Sequence, residues 1–274
     1  MSVISSSVSV KPFLRWAGGK SWLIKHLSEY LPKAGFNSYH EPFLGGASVF
    51  FHLKPTKSFL SDLNKDLIET YIAVKDNVEE VISELLKFEN TKEFYYNVRH
   101  QSFNNPSKKA AQFIYLNQTS FNGIYRVNLQ GIYNVPFGYR TKDFCMPEVL
   151  RTASQALLRA ELKHADFSAS IENVKENDLV FLDPPYTVTH NNNGFIKYNQ
   201  NLFNLESQHE LSRYIDKIKD IGAFYILTNA AHHQIEQIFK KDDNQILHLE
   251  RASLIGGKNA KRGNYSELVI TNII

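Results

Sequence analysis

Leu179-Val180-Phe181-Leu182 runs without a break into Asp183-Pro184-Pro185-Tyr186, and no other stretch of the chain constrains its fold so tightly. Four successive apolar residues suit a strand buried on both faces, as in a parallel sheet covered by helices. Pro184 has no N–H for a sheet ladder and pushes the residue before it towards an extended backbone, so the strand ends at Asp183. A second proline stiffens the turn. The expected result is a carboxylate, the Pro184 carbonyl and the Tyr186 ring held at the carboxyl end of a buried strand, the edge where ligands gather in open α/β sheets. The plain alternative is an ordinary acid and tyrosine after a proline-stopped strand.

The rest of the chain repeats that grammar. Residues 12–53 read as a glycine turn (WAGGKS), a helix from Trp22 to Leu31 closed by Pro32, a strand, a second glycine turn and a helix from Ala47 to Leu53. KSFLSD is a short strand ending in Asp62. From Asn64 to about Lys109 the apolar residues, Leu67, Tyr71 and Val74 and then Val78, Val81, Ile82 and Leu85, recur at helical steps. Residues 118–147 are rich in Asn, Gly, Tyr and Phe with little periodicity, and so long a loop is expected to be functional. After the tetrad come a polar loop (187–201), a helix (206–221), the buried strand AFYILTN, a surface helix starting at His232-His233, and a terminal hairpin of QILHLERASL and SELVITNII around a basic loop. These elements predict an α/β domain made of residues 1–65 and 153–274, interrupted by a mostly helical, loop-rich insertion at 66–152.

Charge decides little: 31 Lys and Arg against 28 Asp and Glu leave a net +3, which permits a nucleic-acid partner without demanding one. The single cysteine, Cys145, cannot form an internal disulfide, and no Cys/His spacing suits a metal, so none is expected and a reducing cytoplasm fits. The first ten residues have neither a basic head nor a long apolar run, which predicts no leader and no membrane span.

Two glycine turns invite ligands. Gly18-Gly19-Lys20-Ser21 resembles a phosphate loop, but Leu14 stands where that motif needs a glycine. Trp16 beside Lys20 instead suits an aromatic ligand that carries a carboxylate. Glu41-Pro42-Phe43-Leu44-Gly45-Gly46 ends a strand and aims the amides of the next helix at whatever approaches. Asp62 closes the following strand, where an acid can accept both hydroxyls of a ribose. It could equally cap the helix that follows.

The tetrad suits one chemistry in particular. A nucleobase amine is a poor nucleophile because its lone pair is delocalised into the ring. Acceptors aimed at its two hydrogens, the Asp183 carboxylate and the Pro184 carbonyl, favour a more tetrahedral nitrogen, whose lone pair then faces an electrophilic methyl. Tyr186 offers a stacking face. A base within a duplex reaches such a pocket only by flipping out.

Trp16-Ala17-Gly18-Gly19-Lys20, Glu41 to Gly46, Ser61-Asp62, the stretch NQTSFNGIYRVNLQGIYNVPFG (117–138) and Asp183 to Tyr186 occur in that order. Together they resemble the Dam-type, alpha-group (D12 class) DNA adenine-N6 methyltransferases from about Pro12 to the C-terminus. The resemblance implies a Rossmann-like seven-stranded methyltransferase sheet with helices on both faces, S-adenosylmethionine as cofactor and double-stranded DNA as substrate. It implies that Trp16, Ala17, Gly18, Lys20, Asp62 and Asp183 contact the cofactor and that Phe43 and Gly45 line its turn. Asp166 and Phe167 would lie near its adenine. Asp183, Pro184 and Tyr186 would handle the target adenine, and residues 66–152 would recognise the site.

The residues of that insertion read the same way. Arg126 suits bidentate pairing with guanine, Ile124 a thymine methyl, and Asn122 the space a flipped base vacates; a tight turn at Asn122-Gly123 and a phosphate clamp at Arg126 are the simpler reading. The resemblance adds Pro136 and Arg15 to the DNA-reading set. GATC or a close relative is the expected target, with a solitary methylase and the partner of a cognate restriction endonuclease both left open. Two other readings stand beside this one: a same-fold methyltransferase acting on RNA or a protein amide, and an inactive DNA-binding regulator.

Overall fold

The computed structural model describes residues 10–128, 130–187, 203–252 and 264–273. Among them lie β1 (Tyr39–Glu41), β2 (Ser58–Asp62), β3 (Ala160–His164), β4 (Leu179–Leu182), β5 (Phe224–Ala230), β6 (Gln245–Ala252) and β7 (Asn264–Thr271). They form a seven-stranded sheet in the order β3-β2-β1-β4-β5-β7-β6. β1 pairs with β4, β4 with β5 and β2 with β3 in parallel, whereas β7 runs antiparallel to both β5 and β6. This is the mixed α/β sheet expected, with the terminal hairpin supplying its antiparallel edge.

The helices among the described residues are α1 (Ser21–Ile24), α2 (Ser48–Leu53), α3 (Lys65–Leu85), α4 (Lys92–His100), α5 (Pro106–Thr119), α6 (Pro147–Leu157), α7 (Leu205–Asp220) and α8 (His233–Phe239). The described residues divide into two compact units. One comprises 25–43 and the described parts of 165–273; the other comprises 10–24 and 44–164.

The first unit is built on β4, whose four residues are all buried. Val180 and Leu182 share a core with Leu211, Ile215 and Ile218 of α7, and with Tyr225 and Leu227 of β5. The apolar residues of α7 recur at steps of four and three, which puts them on one face. Asn204 caps its start by accepting from the Ser207 amide. His232 caps α8 in the same way, accepting from Gln234, so the two histidines do open a helix. The strand order reverses between β1 and β4, which makes their carboxyl ends the topological switch point of the sheet.

In the second unit α3 carries Leu67, Tyr71, Val74, Val81, Ile82 and Leu85 inward and bends at Asn77, which has non-helical dihedral angles. Phe13 sits edge-on to Tyr71. The cap of α3 is Asn64, which accepts from the Leu67 amide at 3.1 Å, so capping is not the task of Asp62.

Two local expectations need correction. The helix foreseen from Trp22 to Leu31 is instead the short α1 followed by a 3-10 turn at Leu27–Tyr30. A 3-10 turn has three residues per revolution, so Leu27 and Tyr30 fall on one side, and both are buried. The loop foreseen at 118–147 is partly ordered. α5 runs on to Thr119, and isolated bridges join Ser120 to Phe137 and Val127 to Tyr133. The Asn128 side chain accepts from the amides of Gln130 and Ile132 and closes the tip of this ribbon. The polar loop at 187–201, apart from Thr187, and the basic loop of the terminal hairpin lie outside the described residues.

Candidate active site

Asp183 emerges where the β4 ladder stops, half-buried, with Pro184 buried behind it. Its Oδ1 accepts from the Thr228 hydroxyl at 2.8 Å. Tyr186 donates its hydroxyl to Glu267 Oε2 at 2.7 Å. The next residue, Thr187, donates to the Phe203 carbonyl at 2.8 Å and accepts from Gln208, which in turn accepts from Asn229. The tetrad is thereby tethered at its first residue, at its last, and just beyond. Sequence reasoning named none of these tethers. A signal existed: Thr228-Asn229 and Glu267 are polar residues set within apolar strands, and Thr228, Asn229 and Glu267 are all buried.

At the carboxyl end of β1, Tyr39 donates to Glu41 at 2.9 Å. Burial first, and then the Glu41 carboxylate, raise the Tyr39 phenol well above its ordinary value, so it stays a donor. Phe43 stacks on Phe167, with ring centroids 5.3 Å apart and planes 25° apart, and Phe203 meets Phe43 edge-on. Asp166 is exposed and caps the 3-10 turn Phe167–Asn173 through Ser168. The structure thus brings Phe43 and Phe167 together and adds Phe203, whose place in a polar stretch left it unremarked.

In the second unit, the turn after Trp16 closes with the Gly19 amide on the Trp16 carbonyl, and Gly18 adopts a φ of 83°. Ala17 is exposed, whereas Lys20 is buried and donates to the Gly18 carbonyl at 2.6 Å. The Trp16 indole stacks near Phe113 and Tyr125. A Cβ at Gly45 would sit 2.8 Å from that indole, and one at Gly46 2.9 Å from the Trp16 Cβ. The close approach that the paired glycines permit is therefore made by Trp16. Asp62 accepts from the amides of Gly45 at 3.0 Å and Asn64 at 2.9 Å. Burial pushes its carboxyl up, against the pull of the Gly45, Asn64 and Leu63 amides and of His164.

The expected DNA-reading residues lie on or beside the ribbon. Arg15 donates its guanidinium to the carbonyls of Gln118 and Ser120, at the end of α5 where the helix dipole is negative. Gly123 leaves room for that side chain: a Cβ there would fall 2.6 Å from the Arg15 Cβ. Asn122, Arg126 and Pro136 are exposed, and Ile124 is half-buried. Asn122 has a φ of 55°, a left-handed geometry that asparagine tolerates. Arg126 donates its Nε to Asn134 at 2.8 Å, which steadies the side chain across the ribbon. Phe121, Ile132 and Tyr139 on the same segment are also exposed. Among the described residues no group of His, Cys, Asp or Glu has a metal-holding arrangement, and no helix is long and apolar enough to cross a membrane.

Comparison with known proteins places these features in context. Residues 16–254 match the family model described as D12 class N6 adenine-specific DNA methyltransferase. The chain is 31% identical to the type II methyltransferase M1.LlaDCHI of Lactococcus lactis subsp. cremoris, across 97% of each protein. It is 36% identical to the type II methyltransferase M.MjaIII of Methanocaldococcus jannaschii, across 81% of this chain and 85% of that one. It is 29% identical to the DNA adenine methylase of Escherichia coli K12, across 92% of each.

Proposed function

The chain belongs to the D12 class N6 adenine-specific DNA methyltransferases, and from that membership we propose how its own residues divide the reaction. The observation that carries the reading is the placement of Asp183: at the end of a buried strand, beside the switch point of the sheet, its carboxylate fixed by a buried hydroxyl. Asp183 and the Pro184 carbonyl accept the two hydrogens of the target amine and orient its lone pair. Tyr186, steadied by Glu267, presents its ring to the base. None of these residues forms a covalent intermediate.

S-adenosylmethionine is the proposed donor, supplying when bound a sulfonium methyl for direct transfer. The residues present suit it. Asp62 is a half-buried acceptor of the kind that takes ribose hydroxyls, Phe43 and Phe167 offer aromatic surface to an adenine with Asp166 alongside, and the buried Lys20 supplies a cation for a carboxylate. Trp16, Ala17 and Gly18 shape the turn that carries Lys20, and Gly45 donates its amide to Asp62. Residues 66–152 with Arg15 read duplex DNA, through Asn122, Ile124, Arg126 and Pro136, at GATC or a close relative. The relatives named type II methyltransferases favour a second partner, a cognate restriction endonuclease, and a reaction on DNA suits the cytoplasm as the place of action.

Mapping modified bases in the DNA of cells that express the protein tests the whole reading. N6-methyladenine at one short recurring site is expected; N4-methylcytosine, or no modified base, overturns it.

Two further results are expected. Donor affinity depends on an ionised Asp62, whose carboxyl burial holds above the ordinary value of about 4. As pH falls through that raised value the carboxylate takes up a proton, and affinity drops by about tenfold per pH unit below it. Calorimetric titration of the donor from neutral to mildly acid pH should show this, and Asp62→Asn should bind weakly at every pH without the slope. A wild-type affinity that stays flat into the acid range removes Asp62 from the site. Second, Arg126→Ala should lower discrimination at a single base pair by about 1–3 kcal/mol. Rates on duplexes that differ at one pair measure it, and an unchanged preference order ends that assignment.

A further inference from the structure

We propose that Thr228 is a positioning residue for methyl transfer, its hydroxyl setting the plane of the Asp183 carboxylate. The inference rests on Asp183 being the group that accepts the target amine. β4 and β5 are paired with Leu182 opposite Leu227, so the next residue of each strand, Asp183 and Thr228, emerge side by side where the ladder ends. Thr228 is fully buried, and a buried hydroxyl needs a partner. Two acceptors lie within reach, Asp183 Oδ1 at 2.8 Å and the Leu182 carbonyl at 3.4 Å. The shorter, charge-assisted bond is the stronger.

Side-chain stiffness explains why threonine suits the task. The terminal torsion of an aspartate is broad, so a carboxylate turns easily unless something holds it. Threonine is branched at Cβ and rigid about its first torsion, so it delivers its donor from a fixed direction.

The neighbouring residue strengthens the case. Asn229 points to the other face of β5, where it donates to Gln208; Gln208 donates to Thr187, and Thr187 to the Phe203 carbonyl. Two consecutive residues of one strand thus tie the first residue of the tetrad directly and the residue just after it through Gln208. The rest of that strand is apolar apart from the Tyr225 hydroxyl, and polar groups there carry a desolvation cost that a purely structural strand could avoid with valine.

The test measures single-turnover transfer from methyl-labelled S-adenosylmethionine, at saturation, to unmethylated plasmid DNA, with enzyme in excess. Thr228→Val keeps the volume and removes the hydroxyl. It should slow transfer by about 10–100-fold at saturating donor while the dissociation constant for DNA stays unchanged. Thr228→Ser, which restores the hydroxyl and removes the methyl, should recover most of the rate. A wild-type rate in Thr228→Val, or a slow serine variant beside a fast valine one, overturns the proposal, because packing alone gives that order. If the valine variant fails to fold, Thr228→Ala against Thr228→Ser makes the same comparison. Asp183→Asn, measured alongside, separates the two claims. In that background Thr228→Val should cost little more, whereas a wild-type rate for Asp183→Asn by itself removes the premise and not the tether.

Discussion

Asp183→Ala should lower the rate of methyl transfer to DNA by about 10³-fold while the protein remains folded and bound to duplex DNA. The carboxylate lies past the end of β4, outside the apolar core that holds the first unit together. Removing it leaves the Thr228 hydroxyl a second acceptor, the Leu182 carbonyl at 3.4 Å. The fold therefore loses little. The reaction loses an acceptor aimed at the amine and the electrostatic stabilisation of the positive charge that builds on nitrogen as the methyl arrives. Because Asp183 is also expected to touch the donor, the rate should be read at saturating S-adenosylmethionine, with DNA binding followed by titration. Turnover equal to wild type sinks the role given to this carboxylate. A loss confined to the Michaelis constant for the donor assigns it to binding alone.

The second large effect falls on stability. Asp178→Ala should destabilise the fold by about 3–5 kcal/mol, a large share of the roughly 5–15 kcal/mol that holds a typical domain. Asp178 precedes β4 and Ser38 precedes β1, and the carboxylate accepts from His40 Nε2 at 2.8 Å, from the Ser38 amide at 2.9 Å and from the Lys175 amide at 3.0 Å. His40 and Asp178 are both buried, so truncation strands donors where water has little access. These bonds tie the amino ends of β1 and β4 together, at the opposite end of those strands from Phe43 and Asp183. Thermal unfolding should show a midpoint lower by roughly 10 °C.

The same residue makes stability depend on pH. Burial alone would raise its carboxyl, but the hydrogen bonds from His40, Ser38 and Lys175 hold it below the ordinary carboxylate value. A carboxyl depressed in the folded state favours folding at every pH above its unfolded value of about 4, and that contribution disappears as pH falls through the depressed value. The alanine variant should therefore approach wild type in acid and differ most near neutrality. A midpoint that matches wild type at neutral pH contradicts this account of the pair.

What could be read from residues adjacent in the chain was the strand-stopping grammar. An apolar run ending in two prolines, a pair of glycines after Glu41 and a strand closed by Asp62 are each decided within a few residues by backbone sterics, and the structure has β1, β2 and β4 where those rules put them. Local rules failed where packing outvoted propensity, as at Leu27 and Tyr30, and where pairing linked loop residues far enough apart to hide any period, as in the ribbon from Ser120 to Phe137. They were silent on the tethers. His40 and Asp178 are 138 positions apart, Thr228 and Asp183 are 45 apart, and Tyr186 and Glu267 are 81 apart. A buried polar side chain advertises only that it needs a partner. Which partner it finds depends on strand order and register, and those exist only once the sheet has formed.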